Sequence, residues 1–130
     1  MTLNEFINKK ENIINKETAN QLLKGFKNKF VVPDYNPKNQ KRSWLLHCNL
    51  SCKPQIIPIE ELESLSLAKD KSVFLYSERH QTMYSVSYSE IYQLVTFLEP
   101  WEEIDVEIFD NSYEWFIAIT HDNVTMIYGI

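Results

Sequence analysis

The sequence predicts an α+β domain with a mainly antiparallel sheet that ends in a three-stranded meander and has its helices packed on one face. In residues 104–130, apolar and polar residues alternate over three short stretches separated by turn-forming residues, as in consecutive antiparallel strands. Residues 2–30 and 87–98 instead repeat their apolar residues every three or four positions, as amphipathic helices do. Separate helical and strand-rich regions are typical of the α+β class.

The first 42 residues divide into a helical N-terminal segment, 1–30, and a loop, 31–42, which precede a sheet-containing body, 43–130. A length of 130 residues favours a single domain over the whole chain, 1–130. Thr2 and Glu5 have the spacing of a capping box and predict a helix start. Asn15 and Lys16 either kink the helical segment or break it into two helices.

The body is predicted to begin with a strand over 43–48, followed after an irregular stretch by a short helix over 58–65. A buried strand over 72–77 follows and favours a hairpin with 82–86. Ser87 and Glu90 form a second capping-box pattern, and the helix they start ends before Pro100. In the terminal meander, the middle strand is apolar on both sides around Trp115, so we expect it to lie inside the sheet.

Composition excludes several functional classes. The chain has only two glycines, Gly25 and Gly129, so no glycine-rich phosphate loop can be written. There is neither an apolar leader nor a run of about 18 apolar residues, and we expect a cytoplasmic protein that does not bind membranes. Cys48 and Cys52 are expected to be reduced thiols; a zinc site with His47 is an alternative that lacks an evident fourth ligand.

The net charge of −5 hides an asymmetry along the chain. Residues 1–42 hold nine Lys or Arg and four Asp or Glu, a balance of +5, whereas residues 43–130 hold four and fourteen, a balance of −10. Nucleic-acid binding is disfavoured by this overall acidity, and a basic protein is the partner that it favours.

The residues most relevant to function are the carboxylates Asp105, Glu107 and Glu114, together with Trp101 and His121. The carboxylates are predicted to lie on an outward sheet face, with Trp101 partly exposed beside them, and the set is a hypothetical docking face. An ordinary solvated sheet face, a divalent-cation site and general acid–base chemistry are the alternatives. Since neighbouring strand residues point to opposite faces, His47 and Cys48 are not expected to face each other, and we expect no catalytic set, no cofactor and no metal.

The C-terminal half carries a pattern-level resemblance. The stretches SVFLYSE, SEIYQLVTFLEP, DVEIFD and SYEWFIAITHDNVTMIYG, within Ser72 to Gly129, resemble small bacterial α+β domains of unknown function, some of which are similar to immunity proteins of toxin–immunity systems. Trp115, His121 and Gly129 match best. For an immunity-like domain, the resemblance implies a toxin as the partner.

The sequence thus predicts a non-enzymatic protein-binding domain. An immunity protein that neutralises a basic toxin is one role that fits this prediction. One alternative is a small enzyme or ligand-binding domain that uses Asp105, Glu107, Glu114 and His121. Another is a self-associating structural domain, a homodimer formed along the exposed edge of the third terminal strand.

Overall fold

In the part of the chain that the structure describes, six antiparallel strands form one sheet. A computed structural model describes residues 2–38 and 43–130, so residues 39–42 of the predicted loop lie outside the described residues. In chain order the strands are β1 (Gln55–Ile57), β2 (Ser72–Ser77), β3 (Thr82–Ser87), β4 (Val106–Phe109), β5 (Phe116–Ile119) and β6 (Thr125–Tyr128). Their order across the sheet is β1-β6-β5-β4-β2-β3. The α+β class with a mainly antiparallel sheet is confirmed.

Helices connect and cover the strands. The α-helices are α1 (Leu3–Ile7), α2 (Lys16–Phe30) and α3 (Tyr88–Thr96), and single turns of 3₁₀ helix span Lys10–Asn12 and Leu46–Cys48, with a longer one at Ile59–Ser64. In the part of the chain that the structure describes, no helix is long and apolar enough to cross a membrane.

The helices cover both faces of the sheet, so the prediction that they pack on one face is wrong. The first face packs against α1, α3 and the 59–64 helix, through residues such as Phe6, Leu62 and Ile91. The second face packs against α2, through Leu23, Phe26 and Phe30. The physical reason is that β5 is apolar on both sides, and Phe109 of β4 adds apolar surface to the second face, so both faces have to be removed from water.

The terminal meander β4-β5-β6 is confirmed, and β5 lies inside it as predicted. The third terminal strand is not an edge, however, because β1 pairs with β6 in antiparallel register, with Ile56 opposite Met126. The sequence pattern predicts no strand at β1, since Pro54 and Pro58 enclose only three residues. The edges of the sheet are therefore β1 and β3.

Of the two options for the N-terminal segment, the break is observed: α2 begins at Lys16, but α1 already ends at Ile7 and a 3₁₀ turn lies between the two helices. Thr2 caps α1 by accepting a hydrogen bond from the amide of Glu5 at 3.1 Å, and Asn15 caps α2 by accepting one from the amide of Thr18 at 2.8 Å. Ser87 occupies the cap position of α3, but its side chain makes no capping hydrogen bond. The start of the body differs from the prediction: within 43–48, the described turn of 3₁₀ helix replaces the expected strand.

Tyr113 interrupts the alternation that the sequence predicts for the middle strand. Its φ of 53° lies in the left-handed region, and its side chain packs on the α2 face, whereas Trp115 belongs to the opposite core. The Tyr113 hydroxyl donates to the carbonyl of Leu22 at 3.3 Å. Gly25 makes this approach possible, because a Cβ there would lie 2.7 Å from Tyr113 Cε1 and closer still to Cζ.

Candidate functional site

Polar residues from four segments meet at one end of the sheet. Glu78 directly follows β2, Asp105 precedes β4, and His121 comes after β5. Because β2, β4 and β5 are antiparallel neighbours, these positions share one end of the sheet, where the amide of Glu78 donates to the carbonyl of Asp105 at 2.9 Å. The 3₁₀ turn Leu46–Cys48 brings His47 to the same place.

Asp105 is the centre of this group, although it is only 2% exposed. Its Oδ1 lies 2.8 Å from His47 Nε2 and 2.8 Å from His121 Nδ1, and it also accepts from the backbone amide of His121 at 3.1 Å. Its Oδ2 accepts from Arg79 Nε at 3.0 Å. Arg79 also donates to Glu103 at 3.1 Å. We call His47, Asp105 and His121 the His–Asp–His cluster.

These contacts decide the charge state of the cluster. Burial alone would raise the pKa of Asp105, but hydrogen bonds from His121 and His47 outweigh it, so the pKa lies below its usual value and Asp105 is ionised. The same hydrogen bond and the negative charge of Asp105 raise the pKa of His121. The cluster thus holds one carboxylate and two imidazoles, one of which is 34% exposed.

Two further carboxyl groups, those of Glu107 and Glu78, lie near the His–Asp–His cluster on the α2 face of the sheet. Glu107 is fully buried, and among the described residues no donor group hydrogen-bonds to either of its carboxyl oxygens. Burial raises the pKa of Glu107 well above its usual value, and the nearby carboxyl of Glu78 raises it further. Burial also raises the pKa of Glu78, which accepts from the amide of Leu46 at 2.9 Å. The raised pKa of Glu107 favours its protonated form next to the Glu78 carboxyl.

His47 and Cys48 do make contact, contrary to the expectation from strand alternation. Cys48 Sγ lies 3.5 Å from His47 Nδ1, because a 3₁₀ turn does not place successive side chains on opposite faces. The order thiol, imidazole, carboxylate is that of a nucleophilic triad. The turn nevertheless uses the amides of Cys48 and Asn49 internally, on the carbonyls of Leu45 and Leu46, so neither is free to stabilise an oxyanion.

The structure separates the residues of the predicted docking face. Asp105 and His121 come together, but Glu107 is 0% exposed, so the prediction that Asp105 and Glu107 lie on a solvent-facing sheet surface is wrong. The reason is α2, which covers the face on which Glu107 lies. Glu114 is exposed in the turn before β5, and Trp101 is exposed in the segment after α3.

The sequence patterns did not single out Glu78 or Arg79, and they placed His47 only with Cys48 and Cys52. Each lies in a turn or beyond a strand end, and neither alternation nor helical periodicity assigns a partner to such positions. A usable signal was available for Glu78 and Arg79, because a predicted hairpin over 72–86 places residues 78–81 at the end of the sheet where residue 105 begins the next strand.

Comparison with protein-family models, curated proteins and solved structures finds no match to this chain. The geometry of the described residues is what bears on function.

The most exposed aromatic side chains lie in residues 97–103, FLEPWEE, which we call the docking segment. In it Trp101 is 76% exposed and Phe97 is 58% exposed.

Proposed function

We propose that this protein is a non-enzymatic binding domain that docks a basic partner protein through the docking segment. The observation that carries the proposal is the exposure of Trp101 and Phe97 among carboxylates. Large aromatic residues supply most of the binding energy at protein interfaces, and leaving two of them in water on one short segment is unfavourable unless a partner covers them.

The docking segment is ordered before any partner binds. The Glu102 carboxylate accepts from the amide of Glu99 at 2.8 Å, and the amide of Glu102 donates to the carbonyl of Glu99 at 2.9 Å. This closed turn holds Pro100 and Trp101 at its tip. Buried Ile104 anchors the segment on its far side. Since the backbone is already fixed, little conformational entropy is lost on binding.

Charge selects the class of partner. Glu99 and Glu103 are exposed on either side of Trp101, with Glu102 half-buried between them. Arg79 pairs with Glu103, and residues 43–130 as a whole carry fourteen acids against four basic residues. A field of this sign accelerates association with a cationic protein and weakens with salt. A basic toxin is such a protein, and an immunity role is the biological form of the proposal.

The experiment first identifies the partner. A photo-crosslinking residue replaces Trp101 in one variant and Trp44 in a matched control. Trp44 is 46% exposed but lies outside the docking segment. We expect a covalent adduct with one basic protein from position 101 only. Adducts from position 44 alone, or a crosslinked dimer of this chain, would contradict the proposal.

The second step tests the carboxylates with the purified partner. Glu99→Gln combined with Glu102→Gln removes two charges next to Trp101, and Glu11→Gln combined with Glu17→Gln removes two from the N-terminal segment as a control. We expect the first pair to slow association about tenfold at low salt and the control pair to leave the rate within about twofold. Equal rates for both pairs would show that the charges of the docking segment do not steer the partner.

A further inference from the structure

We infer that the His–Asp–His cluster binds a divalent first-row transition-metal ion, with Zn²⁺ as the ion that tests it. The proposed docking function does not require this site and does not assign it. His47, Asp105 and His121 each offer one ligand atom, and these atoms all lie within 4.8 Å of one another. They come from three separate segments, so only the folded chain assembles them.

The hydrogen bonding of Asp105 points to an ion. Three nitrogen atoms converge on Oδ1: His47 Nε2 and His121 Nδ1, each at 2.8 Å, and the backbone amide of His121 at 3.1 Å. A carboxylate oxygen has two lone pairs in the plane of the group, so three donors exceed what it accepts well. An ion between the imidazoles and Oδ1 resolves this crowding, because both ring nitrogens then present lone pairs to the metal.

The separations suit an ion after a small adjustment. Zinc lies about 2.0–2.2 Å from imidazole nitrogen and carboxylate oxygen, so neighbouring ligand atoms in a tetrahedral site are about 3.3–3.5 Å apart. The two pairs at 2.8 Å have to open by roughly half an ångström. The 34% exposure of His121 provides an entry side, while His47 at 5% and Asp105 at 2% hold the inner side of the site.

Neighbouring groups orient all three ligands. Arg79 holds Asp105 Oδ2, which turns Oδ1 towards the histidines, and Glu103 compensates the charge of Arg79. His121 Nε2 lies 3.5 Å from Asp122 Oδ2, and His47 Nδ1 lies 3.5 Å from Cys48 Sγ. In metal sites a polar group beside the non-ligating nitrogen of a histidine helps to fix its tautomer, and here Cys48 contacts His47 while Asp122 lies near His121.

The donor set selects the class of ion. Two imidazoles and one carboxylate favour zinc and its first-row neighbours over calcium and magnesium, which prefer sites built from oxygen ligands. Three protein ligands leave at least one coordination position for water. The ligand set differs from the zinc site that the sequence offers as an alternative: His47 is joined by Asp105 and His121, and not by Cys48 and Cys52.

Tag-free protein stripped with chelator is titrated with Zn²⁺ by calorimetry, and Co²⁺ reports the ligand field through its visible absorption. We expect one ion per chain, with binding weakened at least 100-fold by His121→Ala and by His47→Ala. Because His121 lies in a half-exposed turn, His121→Ala serves if His47→Ala fails to fold. His80→Ala, which changes the remaining histidine of the chain, is the matched control and should bind as the wild type does.

Three results with the wild-type protein and its histidine variants would overturn the inference. They are no Zn²⁺ binding by the folded wild-type protein, retention of binding by folded His121→Ala, and a loss in His80→Ala equal to that in His121→Ala. Cys48→Ser separates the two possible ligand sets. Because the serine hydroxyl can keep the contact with His47 Nδ1, Cys48→Ser should still bind one ion, whereas loss of binding in Cys48→Ser would assign the ion to the thiol and contradict the His–Asp–His cluster.

Discussion

Replacing Glu107 with Gln tests the buried carboxyl pair through the pH dependence of stability. In the folded protein Glu107 is fully buried next to Glu78, and both carboxyl pKa values are raised by burial. In the unfolded chain both groups ionise near their ordinary pKa of 4.5. The folded state therefore keeps a proton that the unfolded state loses as the pH rises above that value.

The sign and size of the effect follow from this one proton. A raised carboxyl pKa stabilises the folded state fully below the unfolded pKa, and this contribution is lost as the pH rises towards the folded pKa. One extra proton in the folded state lowers the free energy of unfolding by about 1.4 kcal/mol for each pH unit. This slope applies while the pH lies between the unfolded and the folded pKa of the group.

Glu107→Gln removes this proton, because the amide that replaces the carboxyl next to Glu78 does not titrate. The variant should be more stable than the wild type at pH 6.5 and should lose less stability between pH 5 and 6.5, and the slope that remains comes from the raised pKa of Glu78. The other shifted groups affect stability outside this pH window. The raised pKa of His121 changes the free energy of unfolding above about pH 6.5, and the lowered pKa values of Asp105 and Asp110 change it below about pH 4.

The assay is urea unfolding at half-unit steps from pH 5 to 6.5, with chelator present so that no metal contributes. Glu114→Gln, which changes an exposed carboxylate, is the control and should keep the wild-type slope. If Glu107→Gln kept the wild-type slope as well, Glu107 would not hold the proton and the electrostatic description of the buried pair would be refuted.

Three further predictions concern local structure and are checked by urea unfolding. Gly25→Ala should destabilise the protein by about 1–2 kcal/mol, because the added Cβ collides with the Tyr113 ring. This cost exceeds the roughly 1 kcal/mol that alanine gains over glycine in a helix. In a Tyr113→Leu background the same change should be neutral or stabilising, and a loss of stability there would contradict the explanation. Gly129→Ala should cost at least about 1 kcal/mol, because its φ is +79° and a Cβ would lie 3.0 Å from Trp115 Cα; an unchanged midpoint would argue against this close approach. Asn15→Ala should cost about 1 kcal/mol through loss of the α2 cap, and Asn15→Asp should retain most of that stability.

The elements that sequence periodicity can predict are those with a strong repeat. Residues 72–77 and 82–87 form the expected hairpin, and residues 106–128 form the expected meander. The capping-box spacing also predicts Thr2 as the cap of α1, because the capping interaction is local. The 3₁₀ turn at Leu46–Cys48 is short and apolar like a strand, so no local signal separates the two.

The candidate sites depend on information that lies outside any single segment. The acidic positions of β4 alternate like a solvated strand, and only the docking of α2 on that face buries Glu107. The contacts of Asp105 with His47 and Arg79 join residues 58 and 26 positions apart. Trp101 was singled out correctly as exposed, because Pro100 ends the helical pattern just before it.

The affinity of the crosslinked partner for Trp101→Ala tests the proposed docking function most directly. With partner and chain both purified, we predict that Trp101→Ala weakens binding at least about 30-fold, as loss of a central aromatic anchor does, and that Trp44→Ala leaves the affinity within about threefold. Equal affinities for wild type and Trp101→Ala would contradict docking through residues 97–103, and so would a larger loss in Trp44→Ala.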